Sequence, residues 1–194
     1  PKMDSSWNNR GLCYERFGLY ETALTCYDKA IEIDPSDKIS LGNKGALLRT
    51  QKKYEEAIEC YDKLLAVDHK NKFAWANKGA SYNSLGIYES AIDCYNKALE
   101  IDPRHTDALC DKGISLHALG RREEALNYYE KTLAVNPREA NAWYNKGVVV
   151  AELTGDRQEA IRCFDKALEI NPRHPGAWSS KGMNLDLLGR REEA

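Results

Sequence analysis

The sequence is poor in the side chains that most folded domains use for bulk. Its 194 residues include 3 Phe, and Leu, Ile, Val and Phe together number 38. Such poverty signals disorder only beside a large net charge, and here 28 basic residues face 30 acidic ones. The near balance also excludes a generic binder of nucleic acid or anionic membrane. No apolar run approaches the roughly 18–20 residues of a membrane span. The opening Pro1–Arg10 is polar with one Trp, unlike a secretory signal. There is no CxxC among six cysteines, no glycine-rich phosphate loop, no nucleophile elbow and no HExxH. The sequence therefore predicts no enzyme, no cofactor and no metal. What is abundant is 21 Ala, 11 Tyr and 4 Trp. Very small and very large side chains together suit closely packed helices better than a sheet core.

The chain repeats itself. Gly recurs behind a basic residue at Gly11, Gly45, Gly79, Gly113, Gly147 and Gly182, with spacings of 34, 34, 34, 34 and 35. Ala23, Ala57, Ala91, Ala125, Ala160 and Ala194 keep the same period, as do Tyr27, Tyr61, Tyr95, Tyr129 and Phe164. So do Pro35, Pro103, Pro137 and Pro172, with His69 in the gap, and Trp7, Leu41, Trp75, Leu109, Trp143 and Trp178. Counted from Asp4 as position 1, the repeats are 4–37, 38–71, 72–105, 106–139 and 140–174, with a partial sixth at 175–194. The one extra residue falls at Leu153–Asp156, predicting an insertion in a turn.

Each repeat reads as two helices. Apolar residues at positions 4, 8 and 11 mark the first, for example Lys72–Leu85. Gly86 and Gly120 stand where a helix C-cap needs a positive φ. The second resumes at Ile87–Glu100, with Ala91, Tyr95 and Ala98 on one face, until Asp-Pro or Asn-Pro breaks it. Glu55–Glu56, Glu123–Glu124 and Glu192–Glu193 begin second helices, where carboxylates favour the positive helix end. Glycine inside a helix costs about 1 kcal/mol relative to alanine. Its recurrence predicts that Gly79 and Ala91 mark a close helix crossing, with Trp75, Tyr82 and Tyr95 filling the wider ends.

This pattern resembles the tetratricopeptide repeat family, on Trp75, Gly79, Tyr82, Ala91, Tyr95, Ala98 and Pro103 and their equivalents from Asp4 to Ala194. The chain departs from it in carrying a base before the first Gly: Arg10, Lys44, Lys78, Lys112, Lys146 and Lys181. The resemblance implies an all-α, right-handed superhelical solenoid of antiparallel helix pairs, one domain over 1–194, with the first helices lining a concave surface. Each repeat then buries its apolar face only against its neighbours. The series breaks off at Ala194, so an open C-terminal end, uncovering Trp178, Leu185, Leu187 and Leu188, is an expected site of self-association.

Cys26, Cys60, Cys94 and Cys163 share position 23, a repeat apart, beyond disulfide reach for helices stacked at about 8–10 Å. They read as reduced, partly buried packing residues in a reducing, cytoplasmic setting. His69, His105, His117 and His174 are too dispersed for a zinc site. Lys44, Lys78, Lys112, Lys146 and Lys181 are each expected to reach back toward Asp28, Asp62, Asn96, Glu130 and Asp165; a ligand-binding basic ladder is the alternative.

The functional signal is at position 6: Asn9, Asn43, Asn77 and Asn145. In the family this position faces the concave groove, and a carboxamide both donates and accepts hydrogen bonds. A column of them can hold a peptide backbone without reading its sequence. Asn8, Arg16, Arg49 and Asn83 are further polar candidates, with Phe73 and Tyr144 as apolar anchors. The family's basic clamp for chaperone C-terminal carboxylates uses Lys or Arg at positions 2, 5 and 6, and none is present. The sequence thus points to a protein-interaction scaffold holding an extended peptide or a partner's helix. Self-association, or service as a regulatory arm of a larger enzyme, are the alternatives; nucleic acid and membrane are not expected partners.

Overall fold

A computed structural model describes residues 3–190, with eleven helices and no strand among them. In chain order these are α1 (Met3–Arg16), α2 (Tyr20–Ile33), α3 (Lys38–Thr50), α4 (Tyr54–Val67), α5 (Lys72–Ser84), α6 (Tyr88–Ile101), α7 (Thr106–Ala118), α8 (Arg122–Val135), α9 (Ala140–Thr154), α10 (Arg157–Ile170) and α11 (Pro175–Leu187). They form two compact units, one ending at Asp102 and one beginning at Pro103. Glu192–Glu193 and Ala194, expected at the start of another second helix, lie outside the described residues.

The helix ends follow from local chemistry. Gly86 takes φ +76° while its N–H donates to Asn83 O and that of Ile87 to Tyr82 O. This six-to-one closure satisfies carbonyls at the end of α5 and demands a left-handed residue. Lys52 fills the same place after α3 with φ +61°, the one non-glycine residue with positive φ among those described. Asp37, Asn71, His105 and His174 cap the N-termini of α3, α5, α7 and α11 with side-chain acceptors. Trp75, Trp143 and Trp178 each donate Nε1–H to a carbonyl six residues earlier, pinning the preceding turn.

The close helix contact sets the position-24 ring against the first-helix glycine. A methyl placed on Gly79 would lie 2.7 Å from Tyr95 Cε1, and one on Gly45 2.8 Å from Tyr61 Cε1. The same holds for Gly11 on Tyr27, Gly113 on Tyr129 and Gly147 on Phe164. The Tyr95 ring therefore packs directly on the glycine, and Ala91 is fully buried on the same second helix. The extra residue of the fifth repeat also differs from expectation. Helix α9 has 15 residues where α3, α5 and α7 have 13, and only Gly155 and Asp156 separate it from α10. The insertion lengthens the helix and shortens the turn.

The lysine ladder is present. Lys44 pairs with Asp28, Lys78 with Asp62, Lys146 with Glu130 and Lys181 with Asp165, at 2.5 to 3.0 Å. Each ties a first helix to the second helix of the preceding repeat. Lys112 donates to Tyr128 Oη in its own hairpin. Cys26, Cys60, Cys94, Cys110 and Cys163 are buried and free, and Cys13 is exposed and free. Trp178, Leu187 and Leu188 on and just after α11 are exposed as expected, but Leu185 is buried.

Candidate peptide-binding face

Helix α3 has two unlike sides. Ser40, Leu41, Gly45, Leu47 and Leu48 are buried. The other side carries Ile39, Gly42, Asn43, Ala46, Arg49 and Thr50, exposed or half-buried. These are positions 2, 5, 6, 9, 12 and 13, one helical face. In the first unit α1 touches α3 and α3 touches α5, so the three outward faces adjoin. In the second unit α7, α9 and α11 repeat the arrangement.

The position-6 carboxamides differ in availability. Asn43 donates from Nδ2 to Asn8 Oδ1 at 2.9 Å, and Ser40 Oγ donates to the same oxygen at 3.3 Å. Asn8 is buried, so it ties α1 to α3 and is not open to a ligand. Position 6 thus reaches back toward position 5 of the preceding first helix. For Asn77 that neighbour is Gly42, which offers no side-chain acceptor. Asn77 is half-buried and makes no side-chain hydrogen bond to a described residue; the same is true of Asn145 and of the exposed Asn9. Gly42 is not required by packing: a methyl there would meet only Leu64 Cδ2, at 3.7 Å.

The other candidates divide likewise. Phe73 is 60% exposed, with Lys72 Nζ 5.0 Å from its ring centroid. Tyr144 is already engaged: its ring lies 4.8 Å from that of His174, and a methyl on Gly176 would sit 3.0 Å from its Cζ. Asn83 is half-buried and engaged within the structure. Arg16 is exposed. Arg49 is half-buried, with its Nε and the Tyr61 hydroxyl both buried and unpaired. Burial pushes the Tyr61 hydroxyl up to about 12, and the Arg49 charge works against that rise.

In the first repeat position 12 meets the position-24 ring, whereas the hydroxyls of Tyr61 and Tyr129 are buried without a hydrogen-bond partner. Glu15 accepts from Tyr27 Oη at 2.8 Å. In the fifth repeat position 12 is Ala151, which can bond nothing, and the ring there is Phe164, which carries no hydroxyl. His117 at position 12 of α7 turns instead to Glu152 Oε2 at 2.9 Å, which Arg122 Nε also meets at 2.7 Å. Partial burial works to raise the Glu152 carboxyl, but the hydrogen bonds from His117 and Arg122 outweigh it and hold it below its ordinary value. Among the described residues no group of His, Cys, Asp and Glu could hold a metal, and no helix is long and apolar enough to cross a membrane.

A family profile described as tetratricopeptide repeat matches residues 5–37, 39–71 and 73–105, and a second of the same description matches 110–172. The chain belongs to the tetratricopeptide repeat family. Among solved structures, it is similar to YrrB, described as a tetratricopeptide repeat protein with an unusual peptide-binding site. That match has 28% identity, covers 90% of each chain and has a TM-score of 0.72. It is similar to MamA at 26% identity, over 84% of this chain and 95% of that one, with a TM-score of 0.76. PilF of Pseudomonas aeruginosa shares the fold, with 20% identity, 97% and 86% coverage and a TM-score of 0.84. No curated protein matches. The Asn8–Asn43 bond had no signal in the sequence, because position 5 varies from Asn8 to Gly42, Ala76, Cys110 and Tyr144.

Proposed function

We propose that this tetratricopeptide repeat protein is a non-catalytic protein-interaction scaffold, and that the first-helix face of the unit ending at Asp102 takes a partner polypeptide. The observation that carries the reading is the Asn77 carboxamide, half-buried and without a side-chain partner among the described residues, where Gly42 leaves the preceding position bare. A carboxamide held so offers a donor and an acceptor to a partner's backbone, each bond contributing about 0.5–1.5 kcal/mol net. Useful affinity therefore needs Asn9, Arg16, Arg49 and Phe73 as well. YrrB, described with a peptide-binding site, supports the same use of the fold. The buried free thiols fit a reducing, cytoplasmic setting.

Affinity capture with the intact chain, beside an Asn77→Ala/Gly42→Met variant, tests this reading. The variant removes the carboxamide and fills the bare position, and circular dichroism checks that it folds. Loss of captured partners is the expected result. Retention of all of them would remove this face from the function.

A further inference from the structure

The first unit carries a polarised face. At the N-terminal ends of its first helices stand Ile39 and Phe73, 65% and 60% exposed. Val67 and Ile101, at the C-terminal ends of the second helices, are exposed beside them. Phe73 and Ile101 line one hollow of about 470 Å³ together with Lys72 and Asp102. The charges along this rim cancel in pairs, Lys38 with Asp68 at 3.4 Å and Lys72 with Asp102 at 2.7 Å. Lys70 lines the same hollow outside these pairs, so the rim is apolar with most of its charge paired. In the second unit position 2 is Asp107, Asn141 and Gly176, so this apolar rim belongs to the first unit alone.

At the opposite ends of α1 and α3 stand Arg16 and Arg49, neither in an ion pair with a described residue, with the 80% exposed Phe17 directly after Arg16. The carboxylate on this face, Glu15, accepts from Tyr27 Oη. Glu21, Glu55 and Glu56 at this end belong to the second helices, and Glu21 is paired with Lys53 at 3.6 Å. Between the rims the floor is neutral: Leu12, Gly42, Ala46 and Ala80 beside Asn9 and Asn77.

We infer that this face takes an amphipathic α-helix with one apolar flank and one acidic flank, not an extended segment. The inference rests on the scaffold reading above. Ten residues of helix separate position 2 from position 12, about 15 Å between the rims, and a helix with its side chains is about 10–12 Å across. Laid between the rims, such a helix reaches Ile39 and Phe73 with leucines and Arg16 and Arg49 with glutamates. A single extended strand takes up only about 5 Å of backbone width and leaves the floor unfilled. Charge complementarity selects glutamate over lysine on the flank that faces the arginines.

The test uses fluorescein-labelled peptides of about 18 residues and the full chain, read by anisotropy at low and high salt. One peptide has Leu at helical i, i+3, i+4, i+7 spacing with Glu along one flank. A second replaces Glu by Lys, and a third places the same Leu and Glu in strict alternation. The first is expected to bind at least about tenfold tighter than either other, and to weaken at high salt. Arg16→Glu/Arg49→Glu should invert the preference between the first two; Arg16→Glu alone should narrow it, should the double variant unfold. Phe73→Ser should weaken the first peptide while circular dichroism shows the chain folded. Equal binding of the glutamate and lysine peptides, a preference for the alternating one, or no binding at all would overturn the inference. Should that happen while Asn77→Ala/Gly42→Met still strips captured partners, the scaffold reading survives and the helix does not.

Discussion

Two glycines three residues apart on α3 should respond to the same substitution with opposite sign. Alanine in place of a helix-interior glycine gains about 1 kcal/mol from backbone entropy alone. At Gly42 the new methyl meets only Leu64 Cδ2 at 3.7 Å, so the gain is kept. At Gly45 it would lie 2.8, 2.9 and 3.2 Å from Tyr61 Cε1, Cζ and Cδ1. Comfortable carbon contacts need about 3.5–4.0 Å, and the ring is only 1% exposed, so it has nowhere to retreat. Overpacking of this kind costs about 1–3 kcal/mol; with the ring pinned, the upper end applies and the net loss is about 2 kcal/mol. Gly42→Ala should thus raise and Gly45→Ala lower the urea midpoint, with about 3 kcal/mol between them. In a stack of neighbour-coupled repeats the loss is felt first in α3 and α4, which native-state hydrogen exchange resolves. A double variant, Gly45→Ala/Tyr61→Leu, should lose less than the sum of its parts. Two shifts of the same sign would refute the claim that the aromatic ring, and not helix geometry in general, demands glycine at position 8.

Three further outcomes follow from the same contacts. Lys52→Gly should stabilise the chain by up to about 1 kcal/mol, because a left-handed conformation costs an L-residue roughly 1–2 kcal/mol and the freer unfolded chain returns part of it; a lowered thermal midpoint would contradict the left-handed turn after α3. Burial raises the thiols of Cys94 and Cys163 to about 11 and that of Cys110 to about 12. At neutral pH only the exposed Cys13 should react quickly with a thiol reagent. Above about pH 9 the unfolded thiols ionise and the folded ones do not, so the unfolded state binds fewer protons and stability should fall as pH rises; a stability that is flat or rising there would contradict the burial. Phe164→Tyr should cost about 1–3 kcal/mol by adding a buried hydroxyl with no acceptor at Ala151. Adding Ala151→Glu should recover part of it by rebuilding the Glu15–Tyr27 pair, and a double-mutant cycle with no coupling would sink that account.

Much of this architecture is legible in one sequence because each structural demand is written again in every copy. Glycine and proline phase locates the helix bounds to within about one residue, the left-handed Gly86 and Gly120, and the direction of the lysine ladder. Periodicity is blind to what happens between helices. It places Gly79 and Tyr95 on their helices, but the ring falls on the glycine only once the crossing geometry is set. It finds the inserted residue but not the choice between a longer helix and a longer turn, because Gly155 can cap a lengthened helix as readily as it can sit inside a lengthened turn. The position-6 series reads as one uniform column, yet Asn43 is engaged by Asn8 and Asn77 is not, a difference set by the varying position 5. Tyr144 looks like a free anchor from its helical position, and the following repeat's His174 and Gly176 explain why it is not.

The face itself is tested most directly by nuclear magnetic resonance titration of the full chain with the acidic amphipathic peptide, observing the side-chain amides of asparagine. The account predicts that the signals of Asn9 and Asn77 and the ring of Phe73 shift together and saturate at one peptide concentration, while Asn8 stays still. Shifts confined to second-helix amides such as that of Asn127, or none at Asn77 when the peptide is bound, would contradict it.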